Sequence, residues 1–461
     1  MVKKINAYVL LLAISNSVPV AFSYSQTIAT GGAHSMVICD DKTLMIWGSN
    51  VFGQFGNGTN INSVVPLQNN SLTGIIAIAA GDAHSLALNN IGTVWTWGIN
   101  ANGQLGDGSN VFDSNVPVQV SSLTGVIAIR GGGFHSLALK KDSTVWAWGE
   151  NNNGQLGDGT NTPSNVPVQV SSLKGIIGIA AAGLHSLAVK SDGTVWAWGW
   201  NTNGQLGNGT STFFENVPVQ VDSLTDIIAV AGGANFSLAL KNDSTVWAWG
   251  LNSSGELGTG NNTSSNVPVQ VNSLTGIMAI EAGGWHSIAL KNNGTVWAWG
   301  ANNVGELGDS TNITRNVPVQ VSNLAGVTAI SSEGYHSLCI KKNGTLWAWG
   351  SNSNGELGNG DSIDSNVPVQ VKGLCTLNSI NKEKIALSNF VSPNPGRGQY
   401  YFENFERNNL IEVYDISGRL IFKIVNLNGD CVVDLTEREN GVYFYKVIGD
   451  SFVYSGKLIK Q

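Results

Sequence analysis

Apolar residues in this chain come in runs of five or six, divided by Gly, Asn, Asp and Ser, and the runs return on a fixed period. Trp-Gly recurs at Trp47, Trp97, Trp148, Trp198, Trp249, Trp299 and Trp349, at spacings of 50 or 51. A serine (Ser35, Ser85, Ser136, Ser186, Ser237, Ser287, Ser337) and a proline (Pro66, Pro117, Pro167, Pro218, Pro268, Pro318, Pro368) keep the same period. Each repeat predicts four short strands, which in the third copy span 126–130, 135–140, 144–149 and 166–170. They are β-branched or aromatic and bounded by turn residues. In the Trp strand, Trp146 and Trp148 face one side while Val145 and Ala147 face the other, so both faces are apolar. A strand buried on both faces needs sheets stacked on either side. A closed ring of four-stranded blades supplies them without long open edges. The predicted fold is therefore all-β, a seven-bladed β-propeller over residues 26–374.

Connection lengths suggest a phase for the strands. About five residues join the Pro strand to the next Ala/Gly-rich strand, and about fifteen join the Trp strand to the Pro strand. Short links favour hairpins, so the long one is expected to cross between blades. On that reading the 367–371 strand closes the ring beside the first strands of the chain.

The unit Trp-Gly-x-Asn-x-x-Gly-Gln-Leu-Gly-x-Gly runs from Trp97 to Gly108 and from Trp148 to Gly159, followed by Pro-Val and later by Gly-x-His-Ser-Leu-Ala. It resembles the repeat of the regulator of chromosome condensation family. The resemblance implies a seven-bladed propeller used as a protein-binding platform. No motif carries over the guanine-nucleotide exchange known in that family.

Both ends read differently from the array. Lys3 and Lys4 precede a short apolar run from Ala7 to Ile14 and then small residues, the layout of a signal peptide at 1–25 with the mature chain starting near Gln26. That run is too short for a bilayer span, and no later one approaches membrane length. After Cys375 the period stops. A linker at 375–390 is expected, then a domain at 391–461. Alternation at 410–414, 419–425, 431–435 and 442–447, with turns at Ser417-Gly418, Asn428-Gly429 and Asn440-Gly441, predicts a small immunoglobulin-like β-sandwich. Ser392-Pro393-Asn394-Pro395, Val413-Tyr414-Asp415, Gly418-Arg419, Gly441-Val442-Tyr443-Phe444 and the closing Gly456-Lys457-Leu458-Ile459-Lys460 resemble the C-terminal sorting domain of type IX secretion substrates. This implies the export machinery as a partner, and secretion or display on the outer membrane surface.

Charge narrows the function further. Against 24 basic residues stand 31 acidic ones, a net −7, which leaves no basic footprint for nucleic acid. Cys39, Cys339, Cys375 and Cys431 lack metal-ligand spacing and read as packing residues, with Cys375–Cys431 as the bridge to check. The ring of His34, His84, His135, His185, His286 and His336 has Phe236 at the fifth place, so the position is read as filled for shape. The Asn-, Asp- and Gly-rich loops carry too few carboxylates for calcium and read as turn chemistry. No cofactor is expected.

The seven copies also form an internal alignment. The residue before the His position runs Ala33, Ala83, Phe134, Leu184, Asn235, Trp285, Tyr335, and the one after Trp-Gly runs Ser49, Ile99, Glu150, Trp200, Leu251, Ala301, Ser351. Antiparallel strands put both positions on one face of the disc. Phe134, Leu184, Trp200, Phe213, Phe214, Trp285 and Tyr335 are the candidate partner-binding residues, with Phe112 extending the patch. Glu256, Glu306 and Glu356 replace glutamines of earlier blades and predict an acidic side to this face. Lys140, Lys190, Lys241, Lys291 and Lys341 on the other face read as solvated charge. The predicted function is that of a secreted or surface-displayed monomer, not an enzyme, which binds a protein partner. A glycan is the alternative ligand. A polysaccharide-active enzyme ranks third and would draw on carboxylates clustered near Glu281 and Glu333.

Overall fold

The computed structural model describes residues 27–374 and, in the tail, 391–392, 399–402, 409–416, 419–426, 431–448 and 453–460. The signal peptide, the linker, Cys375 and two of the tail turns lie outside the described residues. Contacts divide the chain into two units, 1–380 and 381–461.

The first unit holds seven antiparallel four-stranded sheets at 28–69, 75–119, 126–169, 176–220, 227–270, 277–320 and 327–370, numbered here as blades 1 to 7. In blade 3 the strands are Val126–Gly131, His135–Lys140, Val145–Gly149 and Ser164–Gln169. First strands of neighbouring blades touch one another and so line the axis.

Every blade consists of four consecutive strands. This overturns the expected phase: the Pro strand 365–370 pairs with its own Trp strand, not with the start of the chain. The long loop stays within its blade because its length is spent on packing sideways. Gly154 of the blade 3 loop lies so close to blade 4 that an added Cβ would sit 2.6 Å from Asn216 Cα. The buried Leu156 of the same loop shares an apolar cluster with Trp198 of blade 4. Seven such wedges, each filled by a fully buried Trp, make the core between blades.

Hydrogen bonds cross the same junctions in a fixed order. The Gln155 carbonyl of blade 3 accepts from Trp198 Nε1 at 2.9 Å and from Ser186 Oγ at 2.9 Å, both in blade 4. His135 Nε2 lies 2.9 Å from that same Ser186 Oγ. The serine has one proton and gives it to the carbonyl, so it accepts from histidine, which fixes the Nε2–H tautomer. The histidine position is therefore more than shape: six of the seven blades use its N–H to bind the next blade. Space for the ring comes from the residue three before it. A Cβ at Gly31 would meet His34 Cε1 at 2.4 Å.

Ring closure uses the same devices. His336 reaches Ser35, Trp47 Nε1 donates to the Glu356 carbonyl, and the Gly360 N–H donates to the Val64 carbonyl. Cys39, in blade 1, is disulfide-bonded, which corrects the reading of all four cysteines as packing residues. Cys339 is free and buried. The proposed Cys375–Cys431 pair involves a residue outside the described ones.

The second unit has a sheet of Val391–Ser392, Gln399–Phe402 and Cys431–Asp434, and another ordered Leu420–Asn426, Asn409–Tyr414, Gly441–Ile448, Val453–Lys460. Tyr400, Ile411, Val413, Val433, Tyr443 and Leu458 from the two sheets form its core.

Candidate functional site

The two variable positions of each blade are tied together by the backbone. After the Trp strand, a glycine at positive φ breaks the ladder; in blade 3 it is Gly149 at φ 106°, where a Cβ would meet the Phe134 carbonyl at 2.5 Å. Only glycine fits such a bulge. It turns the next N–H back over the inner turn: Glu150 N donates to Phe134 O at 2.9 Å, and Trp200 N to Leu184 O at 3.0 Å. The bond repeats in all seven blades, ending with Ala301 to Trp285 and Ser351 to Tyr335.

The structure places the sequence candidates unequally on this loop face. Phe213 is 69% and Tyr335 47% exposed, whereas Phe134, Leu184, Trp200, Phe214 and Trp285 are half-buried. Trp200 and Phe213 pack edge to face, with ring centres 5.0 Å apart, and Phe214 sits opposite Trp200 in the outer strand. Phe112 packs in the same way on Phe52 of blade 1, at 6.1 Å.

A second apolar feature was missed by reasoning that followed the aromatic residues. Each long loop is pinned by the Asn after the bulge. Asn302 Oδ1 accepts from Leu307 N, and its Nδ2 donates to the carbonyls of Thr311 and Ile313, which leaves the Ile313 side chain pointing out. That place, eleven residues after the Asn, holds Ile313, Ile363, Ile61 and Val111 in blades 6, 7, 1 and 2, and Thr162, Thr212 and Thr263 in blades 3 to 5. The four aliphatics are exposed by 59%, 72%, 74% and 51%. Blades 7 and 1 are neighbours, so these residues form an arc of exposed aliphatic side chains, one on each of four consecutive loops. The signal was present in the repeat alignment.

Two charge expectations are corrected. Glu256, Glu306 and Glu356 are buried, and each accepts from a backbone N–H of its own loop, as Glu256 Oε2 does from Ser254 N at 2.8 Å. Gln155 does the same with Asn153 N. Either side chain supplies the acceptor, so the exchange adds no acidity to the surface. Burial raises the carboxyls of Glu256 and Glu306. On the opposite face, Lys140, Lys291 and Lys341 lie 5.4, 5.0 and 5.1 Å from the rings of Trp146, Trp297 and Trp347, so three of the five lysines cover the half-buried Trp row.

Along the axis the small inner-strand residues are interrupted by charge. Arg130 of blade 3 and Glu281 of blade 6 hold the position that is Ala in blades 1, 2, 4 and 5. Glu333 of blade 7 and Asp82 of blade 2 lie close enough to act on this group. Arg130, Glu281 and Glu333 are half-buried, and burial dominates their titration. It pushes Glu281 up to about 7 against the attraction of Arg130. Glu333 is raised further by burial and by repulsion from Asp82 and Glu281.

Residues 13–239 match the RCC1-like domain, and 243–290, 293–340 and 343–382 match the regulator of chromosome condensation (RCC1) repeat. The chain belongs to the RCC1 repeat family. Its tail, 391–461, matches the secretion system C-terminal sorting domain, so the array carries an export signal of the type IX class. Human E3 ubiquitin-protein ligase HERC2 is 33% identical over 135 residues, 28% of this chain and 3% of that protein. The mitochondrial RCC1 domain-containing protein RUG3 of Arabidopsis thaliana is 32% identical over 235 residues, 48% of this chain and 53% of that one. The chain thus spans at most about half the length of these curated relatives. Among solved structures, human WBSCR16 superposes with TM-score 0.66 at 23% identity, over 72% of this chain and 96% of its own. Prp20p of Saccharomyces cerevisiae, studied for its binding to Gsp1p and histones, gives 0.66 at 22%, over 78% and 91%. At these identities the RCC1 structures establish the fold. Among the described residues no helix is long and apolar enough to cross a membrane.

Proposed function

We propose that this RCC1 propeller is an exported, non-enzymatic binding protein, held at the outer surface or released, which engages a protein partner through its loop face. The observation that carries the reading is the apolar arc of Ile313, Ile363, Ile61 and Val111, displayed on loops pinned by buried asparagines. Large exposed apolar patches are uncommon on monomers and mark contact surfaces. Pinned loops lose little freedom on binding. Tyr335, on the inner turn of blade 7, extends the surface toward the axis. The sorting domain supports an extracellular partner.

The test is capture from cell-surface extracts by the mature chain and by an Ile61→Ser/Ile313→Ser/Ile363→Ser variant. Loss of the partner with an unchanged Tm supports the arc; undiminished capture removes it from the interface.

A second reading, a polysaccharide-active enzyme, draws on the axial carboxylates. Burial pushes Glu281 up to about 7 and raises Glu333 well above the ordinary carboxylate range, the direction a general acid requires. Arg130 beside them favours a buried structural charge group instead. Reducing ends released from polysaccharides by the natural chain but not by Glu281→Gln would favour the enzyme.

A further inference from the structure

We propose that the junction between blades 4 and 5 is a saccharide subsite, shaped for a neutral N-acetylated sugar. The inference comes from comparing the seven junctions and does not rest on the protein-partner reading.

At five junctions the loop of one blade is bridged to the outer strand of the next by a pair of asparagines. Asn115 Nδ2 donates to Asn60 Oδ1 at 2.8 Å, and Asn165–Asn110, Asn216–Asn161, Asn316–Asn262 and Asn366–Asn312 repeat the bond at 2.9, 3.0, 3.1 and 2.7 Å. Between blades 7 and 1, both partners are replaced, by Ser362 and Val64. Between blades 4 and 5 only one is replaced: Asn266 remains, bound to the Gly209 carbonyl at 2.9 Å, but Ser211 stands where the acceptor asparagine should be.

A cleft of about 430 Å³ opens at that point, lined by Thr202, Asn203, Ser211, Ser264, Ser265 and Asn266. Every lining side chain is a hydroxyl or an amide, and none is charged. Several have capacity to spare. The Ser264 hydroxyl accepts from Asn252 N and keeps its proton, and the second N–H of Asn266 lacks the amide oxygen its counterparts use. Phe213, 69% exposed, stands two residues beyond Ser211 on the same loop.

This set of neutral donors and acceptors suits a sugar, whose hydroxyls exchange bonds with Ser and Thr. What Asn266 Nδ2 lacks is the amide oxygen its counterparts reach, and an acetamido group brings one. Its oxygen takes the place of the missing Asn Oδ1 on Asn266 Nδ2.

The experiment titrates the full mature chain with triacetylchitotriose and with cellotriose by calorimetry and ligand-observed NMR, beside two variants. Ser211→Asn refills the cleft with the side chain found at five other junctions and leaves folding intact. Thr202→Val keeps the shape and removes one hydroxyl. The proposal expects triacetylchitotriose to bind, cellotriose to bind at least tenfold more weakly, Ser211→Asn to lose at least tenfold and Thr202→Val to lose affinity without losing Tm. No binding by the natural chain, or equal binding by Ser211→Asn, overturns it. Equal affinity for cellotriose overturns the acetamido assignment. A protein partner lost with Ser211→Asn in the absence of saccharide binding would overturn it in favour of a peptide.

Discussion

His336 Nε2 lies 2.8 Å from Ser35 Oγ, so a hydrogen bond joins the last blade of the ring to the first. The same bond runs from His34 to Ser85 and onward, with one gap at Phe236, where Ser287 of blade 6 meets no imidazole. Blade 5 is thus an internal control for what the histidine contributes.

Ser85→Ala strands one buried group, the Nε2–H of His34, since Trp97 Nε1 still donates to the Gln54 carbonyl. Ser287→Ala strands none fully, because Trp299 Nε1 still donates to the Glu256 carbonyl and Phe236 asks for nothing. Unsatisfied buried polar groups cost about 1–3 kcal/mol each. Urea unfolding should show Ser85→Ala destabilised by roughly that amount more than Ser287→Ala. Equal losses would mean that the imidazoles are held by shape alone.

The same histidines set an acid limit. Unfolded, they protonate near pH 6.5; folded, burial holds His34, His135 and His286 back to about 4 and His84, His185 and His336 to about 3. Protons favour the unfolded chain across that window, so stability is full above pH 6.5 and falls as pH drops toward the folded values. Each histidine contributes about 1.4 kcal/mol per pH unit. Glu281, raised to about 7, acts oppositely, favouring the fold at low pH and losing that contribution as pH rises from its ordinary value near 4.5 to 7. Six histidines outweigh the five raised carboxyls Glu281, Glu333, Asp82, Glu256 and Glu306. The urea midpoint should therefore fall steadily from pH 6.5 to 4.5; a flat or rising profile would contradict the buried neutral ring.

Cysteine chemistry gives a direct count. Cys39 is bridged and Cys339 is free, and burial pushes the Cys339 thiol up, out of reach of ordinary thiolate chemistry. Four cysteines with one bridge leave two thiols. Alkylation of the denatured, unreduced chain should label two sites, Cys339 among them, and leave Cys339 unlabelled in the native chain. Reduction should cost about 2–4 kcal/mol of stability. Labelling of Cys39 without reductant would contradict the bridge.

The seven repeats and their strands were legible because Trp-Gly marks a bulge that only glycine can make and a wedge that only a large ring fills. Strand phase was not legible. The loop from Glu150 to Thr162 looks long enough to cross between blades, but Gly154 and Leu156 use that length to pack on the next one. Glu256 read as surface charge because nothing in a sequence distinguishes a side chain that accepts from its own loop from one that faces water. The partner of each histidine was hidden because it lies in another blade, 51 or 52 residues away for five of them and 301 for His336. The arc of Ile61, Val111, Ile313 and Ile363 was legible in register; attention to aromatic residues passed over it.

The central claim is that binding belongs to the loop face. The most direct measurement compares partner capture by the mature chain, by an Ile61→Ser/Ile313→Ser/Ile363→Ser variant of that face, and by Ile91→Ala, whose 78% exposed side chain lies in a turn of the opposite face. The account predicts capture by the natural chain and by Ile91→Ala, and its loss in the triple variant with the propeller still folded. Capture lost with Ile91→Ala and kept by the triple variant would contradict it.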